Sequence, residues 1–477
     1  MCERVIYNRR RSNHPGNSQA PETQKVDNLE SDDFIIHRRG KPVLVNLSGS
    51  VTDGVMFNLK NFVTEFIMKN IAIIGAGITG ITTAYQLLER GYTVSVFDKN
   101  RYAAMETSFA NGGQLSACNA EVWNSWSTIG KGIQWMLKKD APLLFSPKLS
   151  LHKISWIIDF ISNIPNHKKN TILTAKMAIN SRDEFKRILK KENIELDLEE
   201  KGIMHLCECD ASLKHGREVN KWLLEAGLDR KEISKDEMLS IEPTLNLKNF
   251  IGGFYTKSDM SGDIHKFTKL LADACEKKGV KFFYETEIVK VNHDKKQPIL
   301  SFSQSNEIHK QNFDGIVVCA GVNSKFIANN LGDKINIYPV KGYSITILLD
   351  DKESIRNAPY VSLLDDKAKI VSSRLGKNRF RVAGTAEFNG YNKDIRADRI
   401  NPLIKWCNEL FPKVSTEHAI PWTGLRPMTP SMVPKVGSGK LPGVFYNTGH
   451  GHLGWTLSAF TSQQISDHIM RKDNVLN

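Results

Sequence analysis

The sequence predicts an α/β protein in which a strand-turn-helix domain is interrupted by a second domain built on an antiparallel sheet. Three observations predict it. A short apolar strand, Ile71 to Ile74, enters a glycine-rich turn, Gly75 to Gly80, and leaves it as a helix-like run to Arg90. The middle of the chain alternates strands and helices, and from about 280 to 390 strands dominate. A second glycine-rich stretch, Gly439 to Gly454, opens a closing helix that continues to about Met470.

With 477 residues the chain can bury a large core and form two or three domains. Apolar residues make up 40% and charged residues 25%, the ordinary balance of a globular protein. The net charge of +13 raises the question of a phosphate-rich partner. That charge is dispersed in short clusters such as Arg9-Arg10-Arg11 and Lys168-Lys169, so a solvated surface is the simpler reading and no nucleic acid is expected. Seven cysteines without a CxxC pair suggest neither a disulfide framework nor a zinc site. Cys207 and Cys209 read as structural residues of a strand, and a reducing, cytoplasmic location fits. The N-terminus lacks an apolar signal region, so export is not expected. The uncharged stretch from Ile71 to Leu88 reads as a buried strand, turn and helix, not as a membrane span.

Residues 1–67 read as an N-terminal extension, with disorder expected over the polar segment 8–33. Met68 stands directly before the first strand. The first domain is assigned to 68–120, 261–335 and 421–477, and the inserted sheet domain to 121–260 and 336–420. Within the insert, residues 121–170 place Trp123, Trp126, Trp135 and Trp156 among Lys131, Lys138, Lys139 and Lys153, an amphipathic, aromatic and basic segment.

The turn Ile74-Gly75-Ala76-Gly77-Ile78-Thr79-Gly80 puts GxGxxG between strand and helix, the Rossmann-like arrangement. Gly75 permits the tight turn, Gly77 the approach of a pyrophosphate, and Gly80 close helix packing. Asp98, followed by Lys99, ends the second strand 18 residues after Gly80, where an acid bonds a ribose hydroxyl and disfavours NADP. These residues suit NAD and FAD equally. The strand from Ile316 ends in small residues, Ala320 and Gly321, as needed where a chain passes under a cofactor. Gly449-His450-Gly451-His452-Leu453-Gly454-Trp455-Thr456 starts a helix whose N-terminal N-H groups suit a negatively charged reduced flavin. His450 and His452, two residues apart with no third ligand, do not make a metal site, and no metal is expected.

Four segments carry a family resemblance: Glu106-Thr-Ser-Phe-Ala-Asn-Gly-Gly-Gln114, Tyr338-Pro-Val-Lys-Gly-Tyr343-Ser, Trp422-Thr-Gly-Leu-Arg426-Pro-Met-Thr-Pro430 and Asn447-Thr-Gly-His-Gly-His-Leu-Gly-Trp-Thr456. On these the chain from Met68 to about Arg471 resembles the D-amino-acid dehydrogenase small-subunit family, within the D-amino-acid oxidase and glycine oxidase group. The resemblance implies a Rossmann-like FAD-binding domain with an inserted antiparallel β-sheet substrate domain, FAD lying in an extended groove. Thr107, Ser108, Asn111 and Gly112 would lie beside the flavin. Arg426 matches the arginine that holds the substrate carboxylate, and Tyr343 would bond that carboxylate or line the pocket. No cysteine follows Cys407, so the FAD is expected to be non-covalent. The implied reaction takes a D-amino acid to a 2-oxo acid and ammonia, with hydride transfer from the α-carbon to flavin. Electrons would pass to a membrane quinone through peripheral contact at the inner face of the plasma membrane. His452 departs from the small polar residue usual after the family's Gly-His-Gly, and Met260 and His265 beside Asp263 are less typical. Two other readings stay open, an oxygen-using glycine or sarcosine-type amine oxidase and a flavoprotein acting on a modified tRNA base.

Overall fold

The computed structural model describes residues 33–38, 41–46, 69–135, 143–146, 150–294 and 297–476. The chain divides into two compact units, Met1–Ile67 and Met68–Asn477. In the first, Asp33–Arg38 pairs antiparallel with Lys41–Asn46, a hairpin that no turn signature announced. The disorder expected over 8–33 falls, Asp33 apart, outside the described residues.

In the second unit β1 (Asn70–Ile74) is an apolar run with four of its five residues buried, the pattern of a central parallel strand covered on both faces. Burying Ile71, Ile73 and Ile74 contributes roughly 1.5–3 kcal/mol each, enough to offset a backbone ordering cost of about 1–2 kcal/mol per residue. The helix α1 (Ile78–Leu88) carries no charge and buries nine of its 11 residues. Two of its buried threonines are satisfied locally: Thr82 donates to the Ile78 carbonyl at 2.8 Å and Thr83 to that of Thr79 at 2.6 Å. Gly91, at φ +82°, ends the helix. There Tyr92 N donates to Leu87 O and Gly91 N to Leu88 O, the paired bonds of a Schellman cap.

The principal strands that follow are β2 (Thr93–Phe97), β3 (Ile203–Cys207), β4 (Lys231–Ser234), β5 (Gly252–Thr256), β6 (Lys281–Phe283), β7 (Gly315–Val318), β8 (Tyr338–Leu348), β9 (Ser362–Asp365), β10 (Ile370–Arg374), β11 (Arg379–Phe388), β12 (Ile420–Met428), β13 (Lys435–Ser438) and β14 (Val444–Thr448). The main further helices are α2 (Leu151–Ser162), α3 (His167–Glu192), α4 (Asp210–Glu225), α5 (Ile264–Lys277) and α6 (Gly454–Leu476).

One sheet has the order β6-β2-β1-β7-β14-β13, parallel throughout except for the edge strand β13. The chain goes outward from β1 to β2 on one side, and β7 joins on the other, so the end of β1 is a topological switch point, where open α/β sheets bind ligands. The second sheet has the order β12-β8-β11-β10-β9-β3-β5-β4, and along that path only β9 and β3 pair in parallel. Its core packs Tyr343, Ile345 and Ile347 against Phe380, Val382, Leu403 and Trp406. This is the α/β fold with an antiparallel second sheet that the sequence predicts.

Helix α6 returns to α1, where Thr82 and Ser462 share a hydrogen bond of 2.6 Å and Asn447 donates to Thr83 at 2.9 Å. The contact places the C-terminal glycine segment beside the first glycine turn, 370 residues away in the chain but adjacent in space. In the 121–170 segment the tryptophans divide. Trp156 is buried and donates to the Met428 carbonyl at 2.8 Å, Trp126 is exposed, and the Trp135 side chain lies outside the described residues. Cys207 and Cys209 do not share a strand: Cys207 ends β3 buried, whereas Cys209 is exposed at the N-cap of α4.

Candidate active site

The glycine turn is fixed by what surrounds it. Gly75 has φ +108°, and a Cβ there would come within 2.6 Å of the Cys319 carbonyl oxygen. A Cβ on Gly80 would lie 1.8 Å from the Gly75 carbonyl, so this helix can approach this turn only through glycine. Gly77 differs, because its Cβ would meet nothing closer than Ser108 Oγ at 3.6 Å. It is the open side of the turn. Gly77 is the N-cap of α1 and offers no side-chain cap; Ser108 Oγ accepts from Ile78 N at 3.1 Å. The positive end of the helix therefore opens onto a cavity.

That cavity has a volume of about 1690 Å³, well above the roughly 300–1,000 Å³ of an ordinary small-molecule pocket. It runs from the glycine turn to the second sheet. Of the residues singled out from sequence, Ile74, Gly75, Gly77, Ile78, Thr79, Asp98 and Lys99 form its first wall. Thr107, Ser108, Asn111, Gly112, Ala320 and Gly321 continue it, and Gly449, His450, Gly451 and Gly454 close it beside Tyr343 and Arg426. Four others stand behind the wall. Ala76 and Leu453 are packed in the core, Gly80 lies against Gly75, and Thr456 donates to the Gln114 carbonyl at 3.3 Å and accepts from Ser116 N at 3.2 Å. These four shape the wall and do not line it.

Asp98 accepts from Ala76 N at 2.7 Å and from Asn100 N at 2.8 Å, which fixes its carboxylate at the mouth of the turn. Lys99 pairs at the surface with Glu106, 3.4 Å away. On the 106–114 loop, Thr107 donates to the Leu425 carbonyl at 2.8 Å and Asn111 Oδ1 accepts from Gly113 N at 2.9 Å. Gly112 permits the loop to touch the second sheet, since a Cβ there would meet Val371 at 2.6 Å. The chain thus stitches the two sheets together along the cavity.

Arg426 projects from β12 opposite Val340 of β8. Gly342 makes room for it, because a Cβ there would fall 2.4 Å from the guanidinium. Its Nη1 donates to the Thr385 carbonyl at 2.9 Å. Burial pushes its pKa down to about 10, so the group stays charged at neutral pH. No carboxylate among the described residues pairs with it. A half-buried cation with only carbonyl partners on a cavity wall is an anion site in waiting.

Tyr343, expected to bond the carboxylate or line the pocket, lies on the cavity wall. Its hydroxyl donates to Glu387 Oε2 at 2.6 Å, and the same carboxylate holds Lys341 Nζ at 3.3 Å with both side chains at 0% exposure. Burial and the Glu387 charge raise the Tyr343 pKa strongly. The hydroxyl is committed to the sheet.

His450 Nε2 lies 2.9 Å from Thr461 Oγ1, and burial pushes its pKa down to about 3. His452 stacks on Trp123, with ring centroids 4.9 Å apart and planes inclined by 20°. Both rings line the cavity. The sequence marks His452 as a departure and as a metal ligand set aside, and Trp123 as part of an amphipathic stretch. Farther from the glycine turn the wall carries Glu121, His205, His215, Arg230, Asp366 and Lys369. These come from separate elements, so no local motif could announce them. Among the described residues no cluster of three or more His, Cys, Asp or Glu could hold a metal ion.

The switch-point cavity, the helix N-terminus that opens onto it and the second sheet define a dinucleotide-binding protein with a separate ligand-covering domain. Residues 70–468 match the family described as FAD dependent oxidoreductase, and the chain belongs to that family; it is an FAD-dependent oxidoreductase. It is 55% identical over 399 residues to D-amino acid dehydrogenase 3 of Mesorhizobium japonicum, covering 84% of this chain and 96% of that protein. It is 35% identical to D-amino acid dehydrogenase of Dechloromonas aromatica, with the same coverage. Among solved structures, glycine oxidase from Geobacillus kaustophilus superposes with a TM-score of 0.66 at 18% identity, covering 85% of this chain and 95% of that one. L-proline dehydrogenase from P. horikoshii gives 0.66 at 15% identity, covering 85% and 94%. At such identities these two speak for the fold alone.

Proposed function

We propose that the protein oxidatively deaminates a D-amino acid to a 2-oxo acid and ammonia. The observation that carries the reading is Arg426, a half-buried guanidinium without a carboxylate partner among the described residues, on the wall of the cavity that begins at the glycine turn. The likeness to two D-amino acid dehydrogenases supports the choice of substrate class.

The cavity fits FAD. The Gly75–Thr79 backbone with its open position at Gly77 would receive the pyrophosphate, and Asp98 the adenosine ribose. Thr107, Ser108, Asn111, Gly112, Ala320, Gly321 and the Gly449–Gly454 segment would hold the remainder. When bound, FAD supplies the two-electron acceptor that no side chain provides. Arg426 binds the substrate carboxylate through its planar fork and fixes the orientation of the α-carbon. The rings of Tyr343 and Trp123 wall the site against bulk water. The imino acid leaves that site and is hydrolysed by water.

The FAD is held without a covalent bond. Cys407 is buried in the helix Ala397–Leu410, and burial pushes its pKa up to about 12. Cys319, nearest the turn, is pushed up to about 12 as well, so neither offers a thiolate. Acid precipitation should therefore leave a yellow supernatant; colour retained in the pellet would contradict non-covalent binding.

The electron acceptor is a membrane quinone, met at a bilayer surface. Support comes from α2, where Leu151, Ile154 and Ile158 are exposed along one helical face, with exposed Trp126 in the neighbouring helix. No helix of the described residues is long and apolar enough to cross a membrane. Purified enzyme given a D-amino acid should release ammonia while reducing a soluble quinone and should float with anionic phospholipid vesicles. Stoichiometric peroxide with no quinone reduction would favour the glycine-oxidase type of reaction instead.

A further inference from the structure

The segment that follows β11, residues 389–396, is anchored to the second sheet. Gly390 N donates to the Tyr338 hydroxyl at 3.2 Å. Asn392 turns its side-chain oxygen to the buried Lys341 Nζ at 2.7 Å, and the same ammonium donates to the Asp394 carbonyl at 3.2 Å. The two residues that bracket Asn392 turn the other way. Tyr391 is 40% and the Lys393 side chain 48% exposed, and both reach across to the first sheet.

The Tyr391 hydroxyl donates to the Val322 carbonyl at 3.3 Å, and its ring leans on Phe326, with centroids 5.5 Å apart. Lys393 Nζ pairs with Glu106 Oε2, and Glu106 in turn holds Lys99 Nζ at 3.4 Å. Tyr391, Lys393, Phe326, Glu106 and Lys99 all line the cavity.

These contacts fall on opposite flanks of the glycine turn. β1, which leads into the turn, lies between β2 and β7. Neighbouring strands are about 4.8 Å apart, so β2 and β7 stand about 10 Å from each other on either side of it. Lys99 comes two residues after the end of β2 and Val322 four residues after the end of β7. Tyr391 therefore lands on the β7 flank and Lys393, through Glu106 and Lys99, on the β2 flank. The chain between them bridges the crevice at the switch point, and a ligand seated on the turn lies under the bridge. Tyr391 and Lys393 lie outside the strands and helices, so their contacts can open without unfolding either sheet.

On the reading above, in which FAD sits in this cavity without a covalent bond, we propose that Tyr391 and Lys393 form a latch across the cofactor crevice that must open for FAD to enter or leave. The second sheet thereby controls how long the cofactor stays.

The test is kinetic. A latch obstructs entry and exit alike, so removing it speeds both, whereas a side chain that only touches bound FAD slows exit without obstructing entry. FAD release from the diluted holoenzyme and FAD uptake by the full-length apoprotein are both followed by flavin fluorescence. Tyr391→Ala, which loses the hydroxyl and the ring contact, should speed release and uptake by about tenfold each. Lys393→Ala should speed each by about two- to fivefold, the worth of an exposed ion pair. Raising the salt to about 0.5 M should close the gap between Lys393→Ala and the unsubstituted protein, and Lys393→Arg should keep the original rates. An unchanged release rate in Tyr391→Ala and in the double variant Tyr391→Ala with Lys393→Ala, or faster release with unchanged uptake, would overturn the latch. Failure of the underlying reading looks different: the unsubstituted apoprotein would take up no FAD, or the flavin would stay with the acid-precipitated chain, and the latch would fall with that reading.

Discussion

Arg426→Ala raises KM for a D-amino acid by about two to three orders of magnitude, while the protein keeps its FAD. Truncating one member of a buried, charge-assisted pair typically costs about 2–5 kcal/mol, and each 1.4 kcal/mol is about tenfold. The hydrogen-bond partners of Arg426 are the Thr385 and Lys341 carbonyls, which cannot take over the abandoned carboxylate. FAD should remain, since the glycine turn that would hold it is built from β1 and α1. Arg426→Lys should restore only a fraction, as an ammonium lacks the planar fork. Steady-state kinetics with flavin content measured on the same samples reads both quantities, and an unchanged KM would remove Arg426 from the substrate site.

Glu387→Ala lowers folding stability by about 3–5 kcal/mol, the range for removing one partner of a buried ion pair. Lys341 and Glu387 have 0% exposure, and Glu387 also takes the Tyr343 hydroxyl and the Asn389 amide at 3.0 Å. Removing the carboxylate strands the Lys341 charge among Asn392 and the Asp394 carbonyl. Replacing both members at once, Lys341→Met with Glu387→Leu, should cost much less than the single change, because no uncompensated charge is left behind. Urea unfolding with a constant slope isolates the effect. A single substitution within about 1 kcal/mol of the starting protein would show that the pair does not support the second sheet.

Legibility in the sequence followed locality. The glycine turn could be read because backbone geometry leaves glycine as the only residue at Gly75 and Gly80, and because strand and helix periodicity flank it directly. The place of Arg426 on the cavity wall could be read because its segment is contiguous. Tyr343 lies in an equally clear segment, yet its hydroxyl is taken up by Glu387, 44 residues on. Strand register decides that, and no pattern within the Tyr343 segment encodes it. His452 and Trp123 meet only through the fold, so their stack was invisible to motif reading, as was the polar far end assembled from Glu121, His205, His215 and Asp366. The expected CxC strand failed because β3 stops at Cys207 and Cys209 caps a helix.

The central claim, that flavin and a D-amino acid meet in this one cavity, is tested most directly by mixing the FAD-loaded enzyme without oxygen or quinone with matched D- and L-amino acids. The account predicts that the flavin absorbance bleaches with one or more D-amino acids, with one 2-oxo acid formed per flavin reduced, and not with the L-enantiomers. Flavin that stays oxidised across the D-series, or bleaches equally with L-amino acids, would contradict it.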